Sequence, residues 1–201
     1  MLKILDYGLG NIKAFINAYR KLDIPVESVN SLNQINISDK LILPGVGHFD
    51  DAMIKLKNTF NVKELENIVL NNSTPILGIC VGMQILAKFS EEGGENGLGW
   101  IDTSVIKIPG NQNLILPHMG WNKIKLNKKS NLLSGIDQTK NRFYFLHSYV
   151  LSLSKEITIA TSEYNIVFPT IIQKNNIYGI QCHPEKSHDD GLKILENFSN
   201  L

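Results

Sequence analysis

The sequence contains only two cysteines, Cys80 and Cys182, among its 201 residues. A small secreted domain held by disulfides needs more, so a disulfide framework is excluded. No apolar run approaches the roughly 20 residues that span a bilayer, and Asp6 interrupts the first apolar run too early for a secretion signal. We therefore expect a cytoplasmic protein that does not enter a membrane.

An excess of either charge is also missing. Twenty Lys and Arg residues face nineteen Asp and Glu residues, a net charge of +1. This balance gives no electrostatic basis for binding nucleic acid or an anionic membrane. The five histidines and two cysteines show no paired ligand spacing, so we expect no metal and no other cofactor. The length suits one domain with a full core, and no repeat or linker interrupts it, which predicts a single domain over residues 1–201.

Short apolar runs alternate with segments of helical periodicity in the first half of the chain. Strands are predicted at residues 2–5, 25–29, 40–43 and 76–79. Asn11 is a predicted N-cap for a helix with Ile12, Phe15, Ile16 and Tyr19 on one face. Ile85, Leu86 and Phe89 form the buried stripe of another helix after Cys80. This alternation predicts an α/β fold, a doubly wound and mostly parallel sheet flanked by helices.

The second half of the chain is rich in short β segments. They are predicted at residues 105–108, 122–126, 142–150, 157–162, 170–174 and 177–182. Asn175 and Asn176 are typical of a tight turn, so antiparallel hairpins are expected to complete the parallel sheet. A capping box at Ser187 is predicted to begin a closing helix whose buried face carries Leu192, Leu195 and Phe198.

The stretch from Gly78 to Gly82 frames Cys80 with small residues directly after a predicted strand. This is the pattern of a nucleophile held on a strained turn between strand and helix. That geometry would expose the sulfur at the strand's carboxyl end, and the following helix would favour its thiolate. A buried structural cysteine fits the same local pattern. The local sequence leaves both interpretations open.

Two further clusters lie where strands are predicted to end. Residues 44–47 read Pro-Gly-Val-Gly, whose glycines let backbone amides approach a ligand closely. His183 and Glu185 flank Pro184, which would fix the backbone so that both side chains point to one place. A nucleophilic cysteine needs such a base and a carboxylate to orient it. Each cluster alone also fits an ordinary turn, but the three together favour a Cys–His–Glu site.

The chain resembles the class I (triad) glutamine amidotransferases, and among them the glutaminase subunits of imidazole glycerol phosphate synthases. The segments that carry the resemblance are 43–47, 78–84, 117–122, 143–149 and 181–187. The resemblance implies an enzyme that hydrolyses L-glutamine to glutamate and ammonia. It also implies a heterodimer with a synthase (cyclase) subunit built as a (βα)₈ barrel. That subunit would receive the ammonia and form imidazole glycerol phosphate and aminoimidazole carboxamide ribonucleotide in histidine biosynthesis.

The resemblance also implies roles for individual residues. The catalytic triad would be Cys80, His183 and Glu185. Backbone amides for the oxyanion hole would come from Gly45, Val46, Gly47 and Val81. Glutamine would be held by Gln84, His147, Ser148 and Tyr149. The partner subunit would be contacted by Met119, Trp121, Asn122 and Lys186.

Other interpretations remain open from the sequence. The ammonia acceptor could be a sugar-amidating enzyme of surface-polysaccharide synthesis, because Val81 stands where Leu is more usual in the histidine-pathway subunits. A non-catalytic subunit of the same fold and a stand-alone cysteine hydrolase are further alternatives. Met119 and Trp121 would equally fit simple core packing. Cys182 is predicted to pack on the side of its strand opposite to His183, and His48 and His188 are expected at the surface.

Overall fold

Strands and helices alternate over the first half of the computed structural model, which describes residues 1–110 and 114–201. The strands, β1 to β13 in chain order, are Leu2–Leu5, Val26–Val29, Lys40–Gly45, Ile76–Cys80, Phe89–Ser90, Ser104–Lys107, His118–Asn122, Lys125–Leu126, Phe143–His147, Tyr149–Leu151, Thr158–Tyr164, Ile166–Lys174 and Ile177–Ile180. The α-helices, α1 to α5, are Ile12–Lys21, Phe49–Thr59, Val62–Glu66, Val81–Gln84 and His188–Ser199. Short 3₁₀ turns occupy Leu32–Gln34, Asn131–Leu133 and Pro184–Lys186, and a π turn occupies Asn67–Asn71.

The main sheet has eight strands in the order β2-β1-β3-β4-β13-β12-β11-β8. The first five are parallel to one another, and the last three continue the sheet in antiparallel pairs. Strand β4 and all of β3 except its first residue are buried, as expected for strands covered on both faces. The predicted mostly parallel sheet completed by antiparallel hairpins is confirmed.

Two smaller sheets lie beside the main one. Strands β10, β6 and β5 form a three-stranded sheet. Strands β7 and β9 form a two-stranded antiparallel ribbon in which His118 pairs with His147 and Met119 with Leu146. Because side chains alternate along a strand, this ribbon has one inner and one outer face. We refer to it below as the β7–β9 ribbon.

Helix α1 begins where the sequence predicts it, because the Asn11 side chain accepts a hydrogen bond from the backbone N–H of Ala14. Its buried face carries Phe15 and Tyr19. The Tyr19 hydroxyl donates to the backbone carbonyl of Leu195 in α5 at 3.3 Å. Helices α1 and α5 therefore pack against each other, as do α2 and α4.

The helix predicted after Cys80 is present but shorter than expected, and the prediction that it buries Phe89 is wrong. Helix α4 ends at Gln84, and Phe89 lies exposed in the short strand β5. Ile85 and Leu86 are buried as predicted, but their carbonyls accept hydrogen bonds from the backbone N–H groups of Leu98 and Ile101. The glycine-rich loop of residues 91–99 and the residues directly after it thus bind the carbonyls that a longer helix would have used.

Two other local predictions also differ from the structure. The capping box at Ser187 is wrong, because its hydroxyl donates to the carbonyl of His183 and accepts from the N–H of Tyr144, away from the first turn of α5. The segment 122–126 is divided between β7 and β8. In that break, Asn141 binds the backbone of Ile124 through both its amide oxygen and its amide nitrogen.

Candidate active site

Cys80 is the last residue of β4 and lies directly before α4. Its φ of 55° and ψ of −114° put a non-glycine residue in a region of positive φ that L-residues rarely adopt. Such strain persists only where the surrounding structure enforces it, and it concentrates at functional sites. The predicted elbow is therefore present in the backbone.

The tight turn at Cys80 can form because Gly45 and Gly82, which pack beside it, have no side chain. A Cβ at Gly82 would overlap the backbone carbonyl of Leu43, and a Cβ at Gly45 would overlap the backbone nitrogen of Gly82. The end of β3 and the first turn of α4 consequently approach each other at backbone distance. This contact brings the Pro-Gly-Val-Gly segment next to Cys80, with which Gly45 is paired in register.

The sulfur is less accessible than the sequence predicts. Cys80 is only 3 % exposed, although it lines a cavity of about 310 Å³. The other lining residues are Val46, Gly47, Val81, Gln84, Glu92, Pro117, Leu146, His147, Ser148, Tyr149 and His183. The helix that was expected to favour the thiolate has four residues, too few to sum to a sizeable dipole.

His183 and Glu185 form a buried pair next to the cavity. His183 Nδ1 lies 2.9 Å from Glu185 Oε1, and both side chains are nearly inaccessible. His183 lines the cavity together with Cys80. Pro184 occupies the first position of the 3₁₀ turn between the two residues and fixes its backbone. The structure thus brings together the three side chains that the sequence grouped.

The charge state of His183 follows from these neighbours. Burial by itself would lower the pKa of the imidazole, but interactions with Cys80 and Glu185 outweigh it and raise the pKa to about 10. The ring is therefore an imidazolium at neutral pH and places a positive charge next to the sulfur of Cys80. Electrostatics at this elbow come chiefly from His183 and only slightly from α4.

The backbone of His183 is fixed by Ser187 and Tyr144. The N–H of His183 donates to the Tyr144 carbonyl at 2.8 Å. Ser187 Oγ donates to the His183 carbonyl and accepts from the N–H of Tyr144 at 3.0 Å. His183 is thereby anchored to β9 independently of its contact with Glu185.

Gln84 is buried at the cavity wall and is already engaged by the protein. Its Nε2 donates to the Tyr149 carbonyl at 2.9 Å and to Gln181 Oε1 at 3.0 Å. His147 Nδ1 contacts the same Tyr149 carbonyl at 3.1 Å, so this nitrogen carries the proton. The side chains of Gln84 and His147 thus fix the Ser148–Tyr149 backbone at the rim of the cavity.

Two residues were not predicted from the sequence, of which one lines the cavity and the other contacts Cys80. Glu92, from the glycine-rich loop, lines the cavity and accepts from the N–H of Phe49 at 2.9 Å. Gln181 is fully buried, and its Nε2 lies 3.8 Å from Cys80 Sγ. A glutamate in a polar loop resembles any surface residue, so Glu92 gave no signal. Gln181 was visible as a polar residue at the end of an apolar strand.

Tyr7 fixes the start of the Pro-Gly-Val-Gly segment by a hydrogen bond. The buried Tyr7 hydroxyl donates to the Pro44 carbonyl. Burial, with a smaller contribution from the charge of Cys80, raises the pKa of this phenol far above its usual range, so it remains a donor. Val46 and Gly47 follow at the cavity wall, and Gly47 has a φ of 93°. The loop is thus anchored at its start and free of side-chain bulk at its end.

A family model described as glutamine amidotransferase class-I matches residues 3–200. The chain belongs to this family. Its relatives include the imidazole glycerol phosphate synthase subunit HisH of Bdellovibrio bacteriovorus, 45% identical over 205 residues and matched over 100% of both chains. The subunit of the same name from Leptospira borgpetersenii is 42% identical over 205 residues, again over 100% of both chains.

Solved structures of more distant proteins share the fold of this class I amidotransferase. One is a protein from Thermoplasma acidophilum described as part of a GMP synthase, which is 21% identical with a TM-score of 0.70, covering 99% of this chain and 92% of that one. PurLQS from Thermotoga maritima is 14% identical with a TM-score of 0.77, covering 99% and 97%. At these identities the likeness concerns the fold alone.

The outer face of the β7–β9 ribbon of the amidotransferase is apolar and open. Met119 is 66% exposed and Trp121 40% exposed, so their interpretation as core residues is wrong. Tyr144 and Leu146 are their cross-strand partners, and Lys186 lies over the Tyr144 ring at 5.6 Å. We call the four ribbon residues Met119, Trp121, Tyr144 and Leu146 the outer apolar face, and Lys186 lies at its edge.

Asn122, which the sequence grouped with this surface, alternates to the inner face of the ribbon. Its Nδ2 donates to the Glu163 carbonyl at 3.0 Å and lies 3.4 Å from His118 Nε2. Cys182 is fully buried, as predicted for a packing residue, and burial raises its pKa well above the usual range. His48 and His188 lie at the surface, and the ring of His188 stacks on Trp121.

Residues 1–110 and 114–201 of this amidotransferase contain neither a metal-binding cluster nor a membrane-spanning helix. Within them, groups of three His, Cys, Asp or Glu residues placed to hold a metal ion are not found. The same residues contain no helix that is both long and apolar enough to cross a membrane.

Proposed function

We propose that this chain is the glutaminase subunit of an imidazole glycerol phosphate synthase. It hydrolyses L-glutamine to glutamate and ammonia, and the ammonia passes to a synthase subunit. The observation that carries the proposal is that Cys80 and His183 line one cavity while Glu185 contacts Nδ1 of His183. Support for the pathway comes from the relatives named HisH, which match the chain over its full length.

The first half of the reaction uses the pair of Cys80 and His183. The thiolate attacks the carboxamide carbon of glutamine, and the electron pair of the C=O bond moves to the oxygen. As the intermediate collapses, the C–N bond breaks and the imidazolium of His183 gives its proton to the leaving nitrogen, which departs as ammonia. A γ-glutamyl thioester on Cys80 remains.

The second half returns the enzyme to its starting state. His183 takes a proton from a water molecule as the water attacks the thioester carbon. The C–S bond then breaks, and its electron pair returns to the sulfur of Cys80 while glutamate leaves. Glu185 stabilises the imidazolium in both halves through its contact with Nδ1.

Oxyanion stabilisation is assigned to backbone N–H groups at the elbow. Val81 is the first residue of α4, so its N–H lacks a partner within the helix. A second donor comes from Gly45, Val46 or Gly47, whose segment lies against the elbow. Removing one such donor typically costs about 10²–10³ in rate.

The cavity offers groups for both ends of glutamine. Glu92 supplies a carboxylate for the α-ammonium, and the Ser148–Tyr149 backbone, fixed by Gln84 and His147, contacts the rest of the amino-acid moiety. Because the amide nitrogen of Gln84 is already paired with the protein, we assign Gln84 to shaping the cavity and contacting the substrate from its wall.

The partner is proposed to dock on the outer apolar face. Exposed apolar side chains collected on one ribbon mark interaction surfaces more often than scattered ones do. Leu146 belongs to this face and also lines the cavity. Ammonia therefore has a short route from Cys80 to a subunit seated there, which we propose is a (βα)₈ barrel. The two free cysteines fit a reducing, cytoplasmic setting.

The test measures glutamate release from glutamine in three mixtures. These contain the chain alone, the chain with the histidine-pathway synthase and its substrate, and the chain with a sugar-amidating enzyme and its substrate. We expect stimulation by the histidine-pathway synthase, and loss of all activity in Cys80→Ser.

Each other outcome identifies an alternative. Stimulation by the sugar-amidating enzyme alone would move the proposal to surface-polysaccharide synthesis. Full activity without a partner would indicate a stand-alone hydrolase. If Cys80→Ser left glutamate release in the mixtures unchanged, the chain would be a non-catalytic subunit.

A further inference from the structure

Gln181 is the residue that the proposed chemistry leaves unexplained. It follows β13, the parallel neighbour of β4, and the register pairs Ile180 with Ile79. Gln181 is therefore level with Cys80 on the adjacent strand. Its side chain is fully buried, and a buried amide lowers stability unless its hydrogen bonds are satisfied. A functional contact of the Gln181 amide would explain why a polar side chain is buried at this position.

The hydrogen bonds fix which end of this amide faces the sulfur. The Tyr149 carbonyl can only accept, so the Gln84 atom that contacts it is the NH₂ group. The same NH₂ group contacts Gln181, so the Gln181 atom facing it is the acceptor Oε1. The remaining group, Nε2 with its hydrogens, then faces Cys80 Sγ at 3.8 Å. The donor direction thus runs from Gln181 to the sulfur.

Besides its interaction with His183, the sulfur contacts Leu146 and Gln181, and these two contacts favour opposite protonation states. The Leu146 carbonyl, at 3.9 Å, accepts a hydrogen bond from the S–H group and so favours the thiol. The Gln181 N–H donates, and such a bond is stronger to an anion than to a neutral atom, so it favours the thiolate. His183 adds positive charge on the thiolate side.

We propose that Gln181 is a fourth catalytic residue, which donates a hydrogen bond to the thiolate of Cys80. The inference rests on the glutaminase function proposed above. The bond is strong while the sulfur is anionic, weakens when the C–S bond of the thioester forms, and strengthens again when that bond breaks and its electron pair returns to sulfur. Gln181 therefore stabilises the nucleophile before attack and the leaving thiolate at the end.

The test compares Gln181→Met with Gln173→Met. Methionine keeps the length of the side chain and removes the donor. Gln173 is a matched control, because its amide bonds Ser130 and Tyr178 one strand away and does not contact the sulfur. The readouts are the thiolate absorbance in the ultraviolet, measured against pH with Cys80→Ser as baseline, and the rate of Cys80 alkylation by iodoacetamide.

We expect the pH midpoint of the thiolate signal to rise by about one unit in Gln181→Met, with alkylation about tenfold slower below that midpoint. Gln173→Met should match the wild type. If Gln181→Met does not fold, Gln181→Glu replaces it in both measurements. It keeps an acceptor for Gln84 and places a carboxylate beside the sulfur, so its midpoint should rise further.

An unchanged midpoint in a folded Gln181 variant would overturn the proposal, even if turnover fell, because a merely structural role would lower turnover without altering the thiolate. Both readouts use the isolated chain without glutamine. A failure of the glutaminase proposal, seen as absent glutamate release, is therefore distinguishable from a failure of this one.

Discussion

His118 and His147 form a buried hydrogen-bonded pair on the inner face of the β7–β9 ribbon, with His118 Nδ1 3.0 Å from His147 Nε2. Because His147 Nδ1 donates to the Tyr149 carbonyl, its Nε2 accepts and His118 Nδ1 carries the shared proton. Burial lowers the pKa of His118 to about 4. Burial, together with the neighbouring His118, lowers the pKa of His147 to about 3. The pair is therefore neutral in the folded protein.

This pair predicts that stability falls on mild acidification. An unfolded histidine takes up a proton near pH 6.5, whereas these two remain neutral until about pH 4 and pH 3. The unfolded state thus binds more protons below about pH 6.5, and the free energy of unfolding decreases there, for His147 by up to about 1.4 kcal/mol per pH unit. His183, whose pKa is raised to about 10, has the opposite effect: its stabilisation is complete below about pH 6.5 and is lost as the pH rises towards 10.

Urea unfolding between pH 7 and pH 4.5 provides the measurement. His147→Gln keeps a donor for Tyr149 and an acceptor for His118 but does not titrate, so its stability should fall less steeply with acid than that of the wild type. An equal slope in the two proteins would contradict the neutral pair.

Glu185→Gln should reduce kcat for glutamine by about 10²–10⁴, with a smaller change in KM, because the carboxylate that stabilises the imidazolium is lost. Steady-state glutamate release with the synthase bound gives both constants. Glu196→Gln, which removes a surface carboxylate paired with Lys193, is the control. A Glu185 variant within twofold of this control would remove Glu185 from the triad.

Glu92→Gln should raise KM for glutamine about tenfold or more and leave kcat nearly unchanged. The variant keeps an oxygen for the N–H of Phe49 but loses the negative charge proposed to bind the α-ammonium. Glu91→Gln, one residue earlier, is the matched control. If the two variants have equal KM values, the ammonium is bound elsewhere.

Trp121→Ala should weaken binding of the synthase subunit by about 30-fold, the scale of a buried aromatic hot spot. Titration calorimetry measures the Kd. Ile37→Ala is the control, because Ile37 is 79% exposed and lies outside the outer apolar face. Equal affinity of the two variants would place the docking surface elsewhere on the protein.

The two cysteines should differ in their reaction with iodoacetamide near neutral pH. Cys80 lines the cavity beside His183, whereas Cys182 is fully buried with a raised pKa. Mass spectrometry of digested protein after short exposure should find the label on Cys80 first. Comparable labelling of both would argue against the elbow as the reactive site.

The sequence predicted the features that depend on short stretches of chain. Apolar runs identified β1, β3 and β4, and the glycines around Cys80 indicated the elbow. Strand β7 was missed because its His-Met-Gly-Trp-Asn sequence contains a glycine and has exposed apolar residues, which hides the usual alternation.

Features that depend on distant partners could not be predicted. The loop residues that end α4 lie more than ten positions further along the chain. Gln84 and Gln181 are 97 positions apart, and Glu92 meets Phe49 across 43. In each case a short-range pattern is compatible with several environments, and only tertiary contact selects one. The residue pattern grouped Cys80, His183 and Glu185, and the resemblance to a family added the substrate, but neither singled out Gln181.

Leu146 presents different groups to the two sides of the ribbon. Its side chain belongs to the outer apolar face, and its carbonyl lies 3.9 Å from the sulfur of Cys80. A protein that covers this side chain would therefore contact a residue whose own carbonyl lies next to the Cys80 sulfur. Tilting that single peptide would withdraw the acceptor that favours the thiol. Binding at the outer apolar face could thus change the protonation of the sulfur through a single residue, Leu146.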